Sequence, residues 1–345
     1  MEQQNTIPEK RQIRYGISFW KIVFTFVIIF HHMITLPKGY IYVDFFFLAS
    51  GFFLYKTCKS KQKTTWQYTK NRVKNLYFDY IIAFALLAIF GTIFSFVKFD
   101  SVFHFFAEIL MLQNIGIPFA TGGINYPAWF VSVLVTASPI IYFCAKRFDK
   151  KVYNAFAIFA VVAIFSTLIV VCGRLEYWTN IAYIFYPPWL RGFADILLGT
   201  LVAQLAEKFE IKNKVFAIVT ECILFVAIVL LTLCKIEILD FVSPVLFSVL
   251  LFVSNSELSL SHKIGSTKTF AFLSKYEYVL YLNQALVIYS MRDVAMNESM
   301  PLWIKIIILP IAFVLLYILI CLIHNGTRKL KNLLVQKIKK PKQTE

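Results

Sequence analysis

The chain has 345 residues, of which 59% are hydrophobic and 16% charged, where a soluble protein carries roughly a quarter charged residues. Mean hydropathy is positive, 36 residues are Phe and the net charge is +16. These values exclude an ordinary soluble domain. The basic residues cluster in short loops between apolar runs, so the charge speaks for membrane topology rather than for nucleic acid.

In chain order, residues 1–16 are polar, with Lys10, Arg11 and Arg14. Span 1 is expected over Ile17–Leu36 and span 2 over Tyr40–Tyr55, joined by a turn containing Pro37 and Gly39. The first run is long and ends in His31-His32 rather than at a small-residue cleavage site, so it reads as a retained span. A basic loop follows, with Lys56, Lys59, Lys61, Lys63, Lys70, Arg72 and Lys74 and no acid. Span 3 is expected over Leu76–Val97. Val102–Ile115 is too short for an upright span and is interrupted by His104, Glu108, Gln113 and Asn114, which predicts an interfacial or re-entrant segment.

Further spans are expected over Pro127–Ala145, Tyr153–Cys172, Trp189–Ala206, Val215–Cys234, Asp240–Ser254, Ala271–Ser290 and Leu302–His324, with a frayed basic tail over 325–345. The prediction is one all-α polytopic domain of about ten transmembrane helices over 1–345. Both termini then share a side that holds 26 of the Lys and Arg residues against 5 on the other, which predicts cytoplasmic termini. Six cysteines are scattered without a C-x-x-C pair, so neither a metal site nor a disulfide framework is expected.

Ionisable groups at membrane depth are costly and so are functional candidates. Lys21 and His32 are 11 residues apart, which on a helix puts them within roughly 20° of one face and about 16 Å apart along the axis. His31 points about 100° away. His is suited to general-base work near neutral pH, although helix–helix hydrogen bonding accounts for an intramembrane His equally well. Asp44 in span 2 either pairs with Lys38 or serves the site beside His32. Arg72, with Lys74, stands where span 3 begins and can clamp phosphate, although anionic-lipid attraction explains a basic loop too. Trp129 and Ser132 open span 4. Arg191 follows Tyr186-Pro187-Pro188-Trp189 at the outer end of span 6, where it can serve as an anchor, and Asp195, one turn on, can pair with it. Tyr276, Tyr278, Tyr281 and Asn283-Gln284 form a polar band in span 9.

Taken together, these motifs resemble membrane acyltransferase family 3, ten-span bacterial enzymes that O-acylate sugars of the cell envelope. The most specific piece is Tyr42-Val43-Asp44-Phe45-Phe46-Phe47-Leu48-Ala49-Ser50-Gly51-Phe52, which is similar to the family's G-V-D-x-F-F-x-x-S-G-F. Lys21…His32, the stretch 71–80, Trp129…Ser132, the segment Arg191-Gly192…Leu198-Gly199 and Tyr278-Val279-Leu280-Tyr281-Leu282-Asn283-Gln284 add to the likeness. There are departures. Lys21 replaces an Arg, Lys74 is the partial substitute for a second Arg, span 4 lacks its Glu, and Gln284 stands where the family has His.

The resemblance implies acyl transfer, most simply acetyl, from cytoplasmic acyl-CoA to a hydroxyl of an envelope polysaccharide or lipid-linked sugar. His32 and Asp44 would be catalytic. Lys21, Arg72 and Lys74 would hold the donor, and Trp129, Ser132, Arg191 and Tyr281 the acceptor. It further implies a bacterial plasma-membrane location, acetyl-CoA or another acyl-CoA as substrate, and no permanently bound cofactor or metal. The competing expectation is an exporter of polysaccharide or lipid-linked sugar without acyl transfer.

Overall fold

The computed structural model describes residues 14–34, 36–59, 63–95, 102–113, 115–116, 123–178, 186–296 and 299–339. Among them no strand occurs, and the chain is an all-α polytopic membrane protein. Nine helices among the described residues are long and apolar enough to cross a membrane. They are α1 (Tyr15–Ile34), α2 (Tyr42–Lys59), α3 (Thr65–Ile93), α5 (Trp129–Arg147), α6 (Lys150–Cys172), α7 (Pro187–Lys208), α8 (Lys214–Leu233), α9 (Ser243–Ser254, lengthened by the 3-10 turn Glu237–Val242) and α14 (Leu302–Lys339). The short helices are α4 (Val102–Ile109), α10 (Leu260–Gly265), α11 (Lys268–Leu273), α12 (Glu277–Leu282) and α13 (Gln284–Met296).

The two least hydrophobic spans, α2 and α7, form the buried centre, whereas the strongly apolar α6 is mostly exposed to the surroundings. Protein-facing helices need fewer apolar atoms than lipid-facing ones. Small residues bring α2 and α7 together. A Cβ on Gly51 would collide with the Ile196 carbonyl, and one on Gly199 with the Leu48 carbonyl. Gly51→Ala and Gly199→Ala are each expected to destabilise the protein by about 1–3 kcal/mol through overpacking against backbone, read as a lowered melting temperature in detergent. Unchanged melting in both would mean that the two helices stand further apart.

Two expectations about helix limits change. α3 starts eleven residues before the predicted span 3, because a capping box begins it inside the basic loop: Gln67 N donates to Thr64 Oγ1 (3.1 Å) and Thr64 N to Gln67 Oε1 (2.9 Å). The predicted end at Val97 lies outside the described residues. The tail predicted to fray continues α14 as helix to Lys339.

The expected single span 9 is instead three helices, broken at Ser274–Tyr276 and at Asn283. A break at membrane depth is tolerated when the freed carbonyls find donors. Here they do. Tyr317 OH donates to Leu280 O (3.2 Å) and Asn125 Nδ2 to Leu282 O (3.0 Å).

Candidate active site

The segment around α4 is re-entrant. Tyr80, near the midpoint of α3, donates through its hydroxyl to Glu108 O (2.6 Å) and accepts from Gln113 Nε2 (2.9 Å). Ser132 Oγ donates to Gln113 Oε1 (2.8 Å), and Asn125 N donates to Glu108 Oε1 (2.8 Å). Non-helical backbone thus reaches the level of mid-span side chains, enclosed by α3, α5 and α12. Several buried atoms in this region lack hydrogen-bond partners among the described residues: Glu108 Oε2, Asn125 Oδ1, Asn283 Oδ1 and both amide atoms of Gln284. Unmet polar groups in a closed interior are costly unless water or a ligand meets them. They mark buried polar groups where α12, α13 and the segment around Glu108 and Asn125 meet the bundle.

Glu108 is fully buried, and its Oε1 accepts from Asn125 N at 2.8 Å.

The two histidines at the end of α1 differ. His31 Nδ1 is hydrogen-bonded to the Leu36 carbonyl at 2.7 Å, and its Cβ occupies the space in which Gly39 admits no side chain. It closes the α1–α2 turn. His32 is exposed, with its ring edge-on to Tyr126 at 5.2 Å. Tyr126 precedes Pro127, whose carbonyl accepts from Tyr281 OH (2.9 Å). His32, Tyr281 and, through Gln113, Ser132 thus border the re-entrant segment.

Asp44 stands elsewhere. Arg191 Nε donates to its Oδ1 at 2.5 Å and Ser243 Oγ to its Oδ2 at 2.8 Å. Arg191 also donates to Tyr40 O (3.1 Å). The ion pairs that form differ from those that sequence neighbourhood allows. Asp44 pairs with Arg191 rather than with Lys38, and Lys38 pairs with Asp240 at 2.7 Å. Asp195, one turn from Arg191, is buried beside that pair. The Asp44 carboxylate is occupied by Arg191 and Ser243, so it binds α2 to α7 and α9 rather than orienting His32. Arg191 is 3% exposed, and its guanidinium is committed to Asp44 and the Tyr40 carbonyl. Trp129 packs between Phe47 and Trp178, each ring 5.6 Å away.

On the basic side the expected donor residues separate. Lys21 forms an ion pair with Glu277 of α12. Arg72, half-buried with Nε unpartnered among the described residues, faces Tyr278 of the same helix. Lys74, two residues on and thus on a different face of α3, lines a cleft of about 310 Å³ with Arg328 and Lys331 of α14. Sequence reasoning passed over Asp79, His324 and Arg328. His324 Nδ1 is 3.1 Å from Asp79 Oδ1, and Arg328 Nε donates to the same oxygen at 3.0 Å. The available signal was an acid and a histidine inside apolar runs.

A family model described as an acyltransferase domain matches residues 14–325. No curated protein and no solved structure matches the chain.

Proposed function

This chain belongs to membrane acyltransferase family 3, and from that premise we propose that it moves an acyl group, most simply acetyl, from cytoplasmic acyl-CoA to a hydroxyl of an envelope polysaccharide or lipid-linked sugar in a bacterial plasma membrane. The observation that carries this reading is the placing of His32: it is an exposed imidazole edge-on to Tyr126, the neighbour of Asn125 in the buried hydrogen-bond network of Glu108, Gln113 and Asn125. His31, by contrast, is committed to the turn.

In the proposed reaction His32 takes the proton of the acceptor hydroxyl as its oxygen attacks the thioester carbonyl. The tetrahedral intermediate collapses with cleavage of the C–S bond. The imidazolium returns its proton to the departing CoA thiolate. Trp178, exposed and backed edge-on by the buried Trp129, offers a ring face for a sugar, and Ser132 and Tyr281 position the re-entrant wall that the acceptor would meet. Lys21, Arg72 and Lys74 serve the donor from the basic side. Family membership favours this reading over export without transfer.

The test is mass spectrometry of envelope glycans with and without the protein, together with CoA release by the purified enzyme. Loss of an acyl mass that returns with the wild-type gene is expected. Identical glycans and no acyl-CoA turnover would end the proposal.

A further inference from the structure

α14 runs past its apolar part into a basic segment and is fastened there to α3. Asp79 receives Arg328 and His324, and Lys331 Nζ stands 4.0 Å from the Phe78 ring centroid. Lys74 and Asn75 lie one turn before Phe78 and Asp79, so they face α14 across the cleft of about 310 Å³. Its walls thus carry three cations, Lys74, Arg328 and Lys331, against the single carboxylate of Asp79. Among the described residues Lys74 and Lys331 have no carboxylate partner. Like charges facing one concavity repel one another unless an anion lies between them. Lysine and arginine around a small polar hollow suit phosphate oxygens, by charge-assisted hydrogen bonds. The volume is at the lower end of the roughly 300–1,000 Å³ typical of ligand pockets, enough for one end of a ligand but not for a whole coenzyme.

We infer that the cleft between α3 and α14 is a phosphate subsite that holds the phosphorylated nucleotide end of the acyl-CoA donor, with Arg328 and Lys331 of α14 completing the grip begun by Lys74. The inference rests on the acyl-CoA reading above. It assigns the C-terminal basic helix to donor binding. It also separates two donor stations on α3: Lys74 faces the nucleotide, whereas Arg72 faces Tyr278 of α12. A lipid phosphate has the same chemistry and is the competing occupant.

The test uses the full chain in nanodiscs of zwitterionic lipid only, titrated with acetyl-CoA and with 3′,5′-ADP by calorimetry. The wild type should bind both. Lys331→Ala and Lys74→Ala, which leave the Asp79–Arg328 fastening intact, should each weaken both ligands by about tenfold. Retained affinity for acetyl-CoA in both variants overturns the subsite. So does a melting temperature raised by anionic phosphatidylglycerol in the wild type but not in Lys331→Ala while nucleotide affinity stays unchanged, because the cleft then holds a lipid headgroup. A wild-type protein that binds no CoA compound overturns the underlying donor reading instead.

Discussion

His32→Ala is expected to lower acyl transfer by about 10²–10⁴-fold, the usual worth of a positioned general base, with normal membrane insertion. The His32 residue is exposed, and its ring contacts among the described aromatic groups are those with His31 and Tyr126. His31→Ala is the control. It removes the hydrogen bond to Leu36 O and loosens the Gly39 turn, which costs about 1 kcal/mol of stability and leaves the base in place. Free CoA, measured with a thiol reagent in the presence of acceptor, separates the two. Full turnover in His32→Ala together with a dead His31→Ala would reverse the assignment.

Arg191→Leu is expected to destabilise the folded protein by about 3–5 kcal/mol, enough to prevent recovery from mild detergent. Removing one member of a buried pair leaves the other charge uncompensated. Here the guanidinium faces Asp44 at 2.5 Å and Asp195 nearby, so its loss leaves two carboxyl groups together in a medium of low dielectric. The double variant Asp44→Asn/Arg191→Leu should regain part of the loss relative to Arg191→Leu, because the isolated charge is gone. Unfolding midpoints of the two single variants and the double variant make the cycle. Full stability of Arg191→Leu, with a raised acceptor requirement, would return Arg191 to the acceptor site.

The apolar runs made most of the bundle legible, because each lipid-facing helix must carry enough hydrocarbon to span. The turn between α1 and α2 was equally plain from Pro37 and Gly39. What could not be read was partner choice. Lys38 is near Asp44 in sequence, and Arg191 is one turn from Asp195, yet the pairs that form join residues 147 and about 200 positions apart. Local spacing says which groups can meet along one helix, whereas packing of α2, α7 and α9 decides which do. The break at Asn283 was hidden for a related reason. No Pro or Gly marks it, and the donors that permit it, Asn125 and Tyr317, come from other parts of the chain. Glu108 was visible as an interruption of an apolar run, but its burial depends on the walls that α3 and α5 supply.

The bond from Asn125 to Leu282 spans 157 positions, and this sets an order of events during biosynthesis. At about 5–20 residues per second, the ribosome needs roughly 8–30 s after making Asn125 before Leu282 exists. For that interval the re-entrant segment has no α12 to rest on, and Lys21 waits still longer for Glu277, 256 positions away. The Asn125 segment therefore closes only once α12 has been made, and the fastening of α3 to α14 through Asp79 and Arg328 comes later still. A nascent chain that stops before α12 carries His32 and Asn125 without the helix that the segment rests on.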